Sequence, residues 1–82
     1  MFYDYFYSVG GRTRHTYFQK FNNAKDALQT DVANLTTHSN WRVIKKIDRM
    51  NVNKGFYEFE YVLRTDKNEI AKLCIIDSFF QD

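Results

Sequence analysis

The stretch YSVGGRTRHTYF, residues 7–18, decides the fold of the first quarter of this 82-residue chain. Two glycines, Gly10 and Gly11, separate an aromatic run from a second run that mixes Arg with Tyr and Phe. Two-residue turns of types I′ and II′ need positive φ, which glycine adopts without steric cost. The pair therefore predicts a β-hairpin with strands over about 2–9 and 12–21. In that register Tyr7 lies opposite Arg14, whereas a three-residue turn would place it opposite His15.

The two faces of this hairpin are both mixed, so the pattern does not select the buried one. One face carries Tyr3, Tyr5, Tyr7, Val9, Arg12, Arg14, Thr16 and Phe18. The other carries Phe2, Asp4, Phe6, Ser8, Thr13, His15, Tyr17 and Gln19. The rings near the base of the hairpin are expected in the core. Arg12 and Arg14 are expected either to be solvated at the tip or to bind a ligand.

A helix follows over residues 24–37, where apolar residues recur at helical spacing. They are Ala24, Ala27, Leu28, Val32 and Leu35. Asn23 is the expected N-cap, because its side chain can accept a hydrogen bond from the first turn. Three further strands are predicted over 41–50, 56–64 and 69–77. Together these elements predict an α+β fold, ββαβββ, in which one helix packs on one face of an antiparallel sheet, within a single domain spanning residues 1–82.

The composition is that of a folded globular domain, with 44% apolar and 27% charged residues. Neither a membrane-spanning run nor a signal peptide is recognisable, and Cys74 has no partner for an internal disulfide. A cytoplasmic setting is the resulting expectation. No catalytic, cofactor-binding or metal-binding motif is recognisable either, so we expect a non-enzymatic protein without a cofactor.

Positive charge is concentrated between residues 12 and 54. This segment contains nine Lys or Arg residues and three Asp residues, so its net charge is +6. Interleaved with aromatic rings, such a segment predicts a nucleic-acid-binding surface, with RNA favoured over DNA. Its candidate residues are Tyr5, Tyr7, Arg12, Arg14, His15, Lys20, Arg42, Lys45, Lys46 and Arg49. The alternative interpretation is structural: the bases of strand three protect a sheet edge and pair with Glu58 and Glu60.

Surplus apolar residues on the last two strands and at the C-terminal end predict a second kind of surface. Strands four and five carry more apolar side chains than one buried face can use. The candidate protein-interface residues are Phe56, Val62, Ile70, Ile76, Phe79 and Phe80. They favour a protein-only inhibitor or a homodimer.

A third alternative is a metal-independent ribonuclease. His15 and His38 would act as acid and base, and Arg42 or Lys46 would stabilise the developing negative charge on a phosphate. That mechanism requires the two imidazoles to lie close together.

The organisation of the chain resembles that of the small early proteins of T-even-type bacteriophages. The resemblance rests on the aromatic first strand, the TYFQKF strand, the NNAKDAL helix start, and a composition rich in Asn, Lys and Tyr but poor in Pro and Gly. It implies a host-takeover or counter-defence protein that neutralises a host factor, such as a toxin or a nucleoprotein complex, by binding it. The resemblance assigns no functional residue.

Overall fold

A computed structural model describes residues 2–51 and 56–77, without the side chains of residues 50, 51, 56–58 and 77. One helix packs against a five-stranded antiparallel sheet with strand order β2-β1-β5-β4-β3. The elements are β1 (Tyr3–Val9), β2 (Arg12–Phe18), α1 (Phe21–His38), β3 (Arg42–Asn51), β4 (Phe56–Arg64) and β5 (Ile70–Asp77). This confirms the predicted ββαβββ order and the single helix on one face.

The hairpin turn forms at the two glycines. Gly10 has φ 58° and Gly11 has φ 80°, and two positive values are the signature of a type I′ turn. Tyr7 consequently pairs with Arg14 and Phe6 with His15, which is the two-residue register predicted from the sequence.

The helix selects the tyrosine face of the hairpin as the buried one. Tyr5 is 1% exposed and packs in the same core as Leu28 of α1 and Leu73 of β5, both 0% exposed. In the sheet register Tyr5 lies opposite Ile75 and Tyr7 opposite Leu73, so β1 and β5 present one continuous apolar surface to the helix.

The helix begins three residues earlier than predicted, and the expected cap at Asn23 is wrong. Lys20 occupies the N-cap position and makes no side-chain capping hydrogen bond. The reason lies in Phe21, whose ring meets Tyr3 edge-on at 5.7 Å and Phe59 at 6.1 Å. This aromatic packing draws the first turn onto the sheet and ends β2 at Phe18.

A β-bulge changes which residues of β3 share a face. The register shifts between Val43, opposite Leu63, and Lys45, opposite Val62, so that Ile44 is the extra residue. An extra residue reverses the alternation of side chains beyond it. Arg42 therefore lies on the same face as Lys45 and Arg49, whereas strict alternation along the strand would place it with Lys46.

Candidate nucleic-acid interface

The sheet face opposite the helix is called the distal face here, and its residues form ordered cross-strand rows. The middle row runs across all five strands. It comprises His15, Phe6, Cys74, Glu60 and Ile47. Since neighbouring strands lie about 4.8 Å apart, this row spans about 19 Å. No described element packs over it.

A basic row lies beside the middle row. It runs Thr13, Ser8, Lys72, Val62 and Lys45 across the sheet. Beyond it, at the same end of the sheet, Arg64 lies between Ile70 and Arg42. Four cations are therefore brought together on the β5, β4 and β3 strands, although they are separated in the sequence.

Three neighbouring rings lie at the β2 end of the middle row, where His15 stacks on Tyr17 and Phe6 is tilted by 55° relative to His15. The His15 ring is 5.0 Å from Phe6 and 6.5 Å from Tyr17, to which it is nearly parallel at 15°. Tyr17 is 61% exposed, so its ring remains accessible. We call Phe6, His15 and Tyr17 the aromatic cluster.

Asp4 is hydrogen-bonded to His15 of this cluster. Its residue is 3% exposed, and both carboxylate oxygens lie within 3.0 Å of His15 Nδ1. Because an ionised carboxylate only accepts hydrogen bonds, this geometry assigns the Nδ1 proton to His15 as donor. The imidazole is thus fixed in orientation, and its ring stacks on Tyr17 with the centroids 6.5 Å apart.

The distal face carries a net positive charge. By register the described side chains on it include five Lys or Arg residues against Asp4 and Glu60, and Asp66 lies 3.2 Å from Arg42 Nη2, which gives a net +2 with His15 neutral. Glu60 is the shared partner of two lysines, at 3.1 Å from Lys72 Nζ and 3.8 Å from Lys45 Nζ. Its hydrogen bond raises the pKa of Lys72 above the ordinary lysine value, so that amine stays charged.

A hollow of about 370 Å³ opens on the distal face between β3, β4 and β5. Apolar atoms of Ile47, Ile76 and Cys74 line it, together with the charged Arg49, Glu60 and Lys72. Burial raises the pKa of the Cys74 thiol to about 11, so at neutral pH this thiol is protonated and behaves as an apolar group.

Three residues predicted to bind nucleic acid, Tyr5, Tyr7 and Arg14, lie on the helix-side face of the hairpin and contact each other or the helix. Tyr5 is buried, and its hydroxyl donates a 2.6 Å hydrogen bond to Asp31 of α1. Arg14 forms a salt bridge with the same carboxylate oxygen at 3.1 Å and lies 4.5 Å above the Tyr7 ring. This corrects the predicted base-stacking role of Tyr5, because a ring that is 1% exposed cannot stack on a base.

The other predicted basic residues divide between the two sides of the sheet. Arg12 and Lys20 are exposed on the helix side, at the hairpin tip and the start of α1. Lys46 also lies on the helix side, with its amine 5.4 Å from the Tyr61 ring. The predicted continuous basic surface is therefore split by the sheet. Arg42, Lys45 and Arg49 share the distal face with His15.

The predicted protein-interface residues lie on the distal face where the structure describes them. Ile70 is 56% exposed, Ile76 is 39% exposed, and Val62 is half-buried. The Phe56 side chain and residues Phe79 and Phe80 lie outside the described part.

The two histidines do not meet. His15 is on the distal face, while His38 is in the last turn of α1, which packs on the other face. Joint acid and base action on one phosphate, as the ribonuclease alternative requires, has no geometric support.

Sequence reasoning missed several distal-face residues, chiefly Phe6, Tyr17, Lys72 and Arg64. Their spacing in the chain hides their proximity, which arises from the pairing of β1 with β5. The sequence does show the alternation within each strand. Asp4, Phe6 and Ser8 lie on one face of β1, and Lys72, Cys74 and Ile76 lie on one face of β5.

Comparison with protein-family models, curated proteins and solved structures finds no match. Within residues 2–51 and 56–77, no helix is long and apolar enough to cross a membrane. The same residues contain no group of three His, Cys, Asp or Glu side chains that could hold a metal ion.

Proposed function

We propose that this protein is a small binding module whose distal face binds single-stranded nucleic acid. The observation that carries the proposal is that the aromatic cluster and the basic row share one face of the sheet, where Phe6 lies diagonally across from Lys72. Single-stranded sites combine rings that stack on bases with cations that neutralise phosphates. The exposed Tyr17 ring and the lysines and arginines of β3, β4 and β5 supply both elements.

A single strand fits this face better than a duplex. Bases in a duplex are stacked on each other, so their π-faces are hidden from a protein ring. The distal face is a row of side chains about 19 Å long, with rings at one end and no projecting helix among its described residues. RNA remains the favoured polymer, since protein recognition of unpaired bases is most common there.

The wider role is a further part of this proposal, and the resemblance supports it. We propose that binding neutralises a host factor that is or contains nucleic acid, in the manner that the resemblance to small phage proteins implies. A binding protein of this kind needs no catalytic group.

Salt dependence of binding tests the distal face directly. For single strands, each neutralised phosphate contributes about 0.7 to the slope of log K against log salt. The double substitution Arg42→Gln with Lys45→Gln should lower the slope for a labelled ten-nucleotide RNA by about 1.4. Fluorescence anisotropy at several salt concentrations measures it.

The matched control removes two charges from the helix side, by Arg12→Gln with Lys20→Gln. It should leave the slope within about 0.3 of the unsubstituted protein, because those residues do not reach the distal face. Equal losses in both double variants contradict the assignment to the distal face. No salt-dependent binding by the unsubstituted protein refutes the proposal.

The aromatic contribution is tested at Tyr17. Replacing Tyr17 by Leu removes the ring, while replacement by Phe keeps it and serves as the control. Loss of one base-stacking ring costs about 1–3 kcal/mol of binding. Unchanged affinity in the Leu variant would show that the cluster is not a stacking platform.

A second candidate function is a protein interface on the same face, and one observation favours it. Ile70 is 56% exposed and Ile76 is 39% exposed, so both ends of β5 present an apolar side chain on the distal face. If they form a homodimer contact, Ile70→Asp with Ile76→Asp should convert a dimer to a monomer in sedimentation velocity. A monomer before substitution rules out self-association through this patch.

A further inference from the structure

The hollow between β3, β4 and β5 lies directly in line with the aromatic cluster. Phe6 of the cluster pairs with Cys74, and Cys74 pairs with Glu60, both of which line the hollow. The volume of about 370 Å³ lies at the lower end of the range of about 300–1,000 Å³ for small-molecule sites. A strand whose first base stacks on Tyr17 therefore meets this hollow as it crosses the sheet.

The walls of the hollow match the parts of a nucleotide. Ile47, Ile76 and the protonated Cys74 offer apolar surface to the faces of a base ring. Arg49 and Lys72 add positive charge at the same hollow, where a phosphate would be neutralised. This is a mixture of apolar lining and few polar groups, which is typical of ligand sites.

Glu60 is the group that can read the base. Its side chain is 20% exposed, and it is held in place by Lys72 at 3.1 Å and Lys45 at 3.8 Å. A carboxylate has about four acceptor positions, so the two lysines leave capacity for another donor. As an ionised acceptor it favours a base that offers an amino group, and carboxylates pair with the N4 amino group of cytosine in this way.

We propose that this hollow seats one base of the bound strand and that Glu60 selects a base with an exocyclic amine, cytosine before uracil. Uracil offers only N3–H, which lies between two carbonyl oxygens, so a carboxylate that accepts this proton also approaches both oxygens. The cytosine amino group projects beyond the ring and avoids that repulsion. This inference rests on the proposed binding of single-stranded nucleic acid to the distal face.

The test compares oligocytidine with oligouridine of equal length, which carry the same charge and differ at the pyrimidine edge. The unsubstituted protein should bind oligocytidine about five- to ten-fold more tightly in fluorescence anisotropy. The ratio of the two Kd values is the readout, because changes in overall charge affect both oligomers alike.

Glu60→Gln keeps the size of the side chain and adds an amide donor that can serve the uracil O4. Its Kd ratio should fall to about one. Glu60→Asp keeps the charge but withdraws the carboxylate by one methylene, and it should reduce the ratio as well. Thermal unfolding shows whether each variant is folded. If one of them has a folding defect, the other still tests the proposal.

Each outcome is decisive. Equal binding of both oligomers by the unsubstituted protein overturns the base-reading role and leaves the proposed function standing. A cytosine preference that persists in both Glu60 variants also overturns it. Absence of binding to either oligomer refutes the proposed function and this inference with it.

Discussion

The hydroxyl of Tyr5 should contribute measurably to stability, and Tyr5→Phe tests this. The residue is 1% exposed and donates a 2.6 Å hydrogen bond to Asp31. Hydrogen bonds to charged groups contribute about 1.5–3 kcal/mol. The Asp31 side chain is 28% exposed and keeps Arg14 at 3.1 Å, so water can replace part of the loss. We expect a decrease of about 1.5 kcal/mol in the free energy of unfolding.

Thermal unfolding followed by circular dichroism measures the effect. In a domain of this size, 1 kcal/mol corresponds to about 4–8 °C, so Tm should fall by about 6–12 °C. Tyr7→Phe is the control, because the Tyr7 hydroxyl makes no side-chain hydrogen bond to the described residues. It should change stability by less than about 0.5 kcal/mol.

A double-mutant cycle with Asp31→Asn identifies the source of the loss. Coupling between Tyr5→Phe and Asp31→Asn of about 0.5 kcal/mol or more is expected for residues in direct contact. Equal effects of Tyr5→Phe and Tyr7→Phe, or no coupling, would refute the account of Arg14 and Tyr5 as parts of a structural network rather than a ligand site.

Three further predictions concern the fold. The Cys74 thiol has a pKa of about 11 against an ordinary 9.0, so between these pH values only the unfolded chain loses the proton and stability falls with rising pH. The full loss is about 2–3 kcal/mol, and Cys74→Ala should flatten the decline in urea unfolding between about pH 9 and 11. Gly11→Ala should lower stability by about 1–2 kcal/mol in thermal unfolding because φ is 80° there, whereas Gly10→Asn should be nearly neutral since Asn tolerates this region. Leu28→Ala, at a residue 0% exposed, should cost about 2–5 kcal/mol in urea unfolding, against less than about 0.5 kcal/mol for the exposed Gln29→Ala. Stability that does not change with pH would contradict the effect of Cys74. Unchanged stability in Gly11→Ala would contradict the effect of its positive φ, and unchanged stability in Leu28→Ala would contradict the role of Leu28 in the core.

Local features of the fold were predictable because they depend on neighbouring residues. Gly10 and Gly11 determine the turn type and therefore the whole register of the first hairpin. The apolar stripe of α1 likewise depends only on helical spacing, and its members Ala24, Leu28 and Val32 are buried. In both cases the chain needs no information from distant segments.

The start of the helix was not predictable in the same way. Asn23 has the better capping side chain, yet Phe21 begins the helix, because two rings from β1 and β4 contact it. Packing of large aromatic groups outweighs a cap that is worth about 1 kcal/mol.

The candidate site was predicted only in part, for two physical reasons. The bulge at Ile44 has no glycine or proline to mark it, and it alone brings Arg42 to the side of Lys45. The second reason is strand order: Phe6 and Lys72 become neighbours only because β1 pairs with β5, and alternation within each strand does not reveal its partner.

The pairing of β1 with β5 also has a consequence for how the molecule assembles. Strands β1 and β5 meet at the centre of the sheet, for example in the pair Tyr5 and Ile75, so distant parts of the chain must come together before the β1-β2 hairpin and the β3-β4-β5 meander become one sheet. Such distant contacts slow folding relative to helical proteins of similar length. During synthesis, the hydrophobic side chains of β1 and α1 therefore remain partly uncovered until β5 has been synthesised. The rows of the distal face that cross from β1 through β5 to β4 therefore form only after β5 has been synthesised.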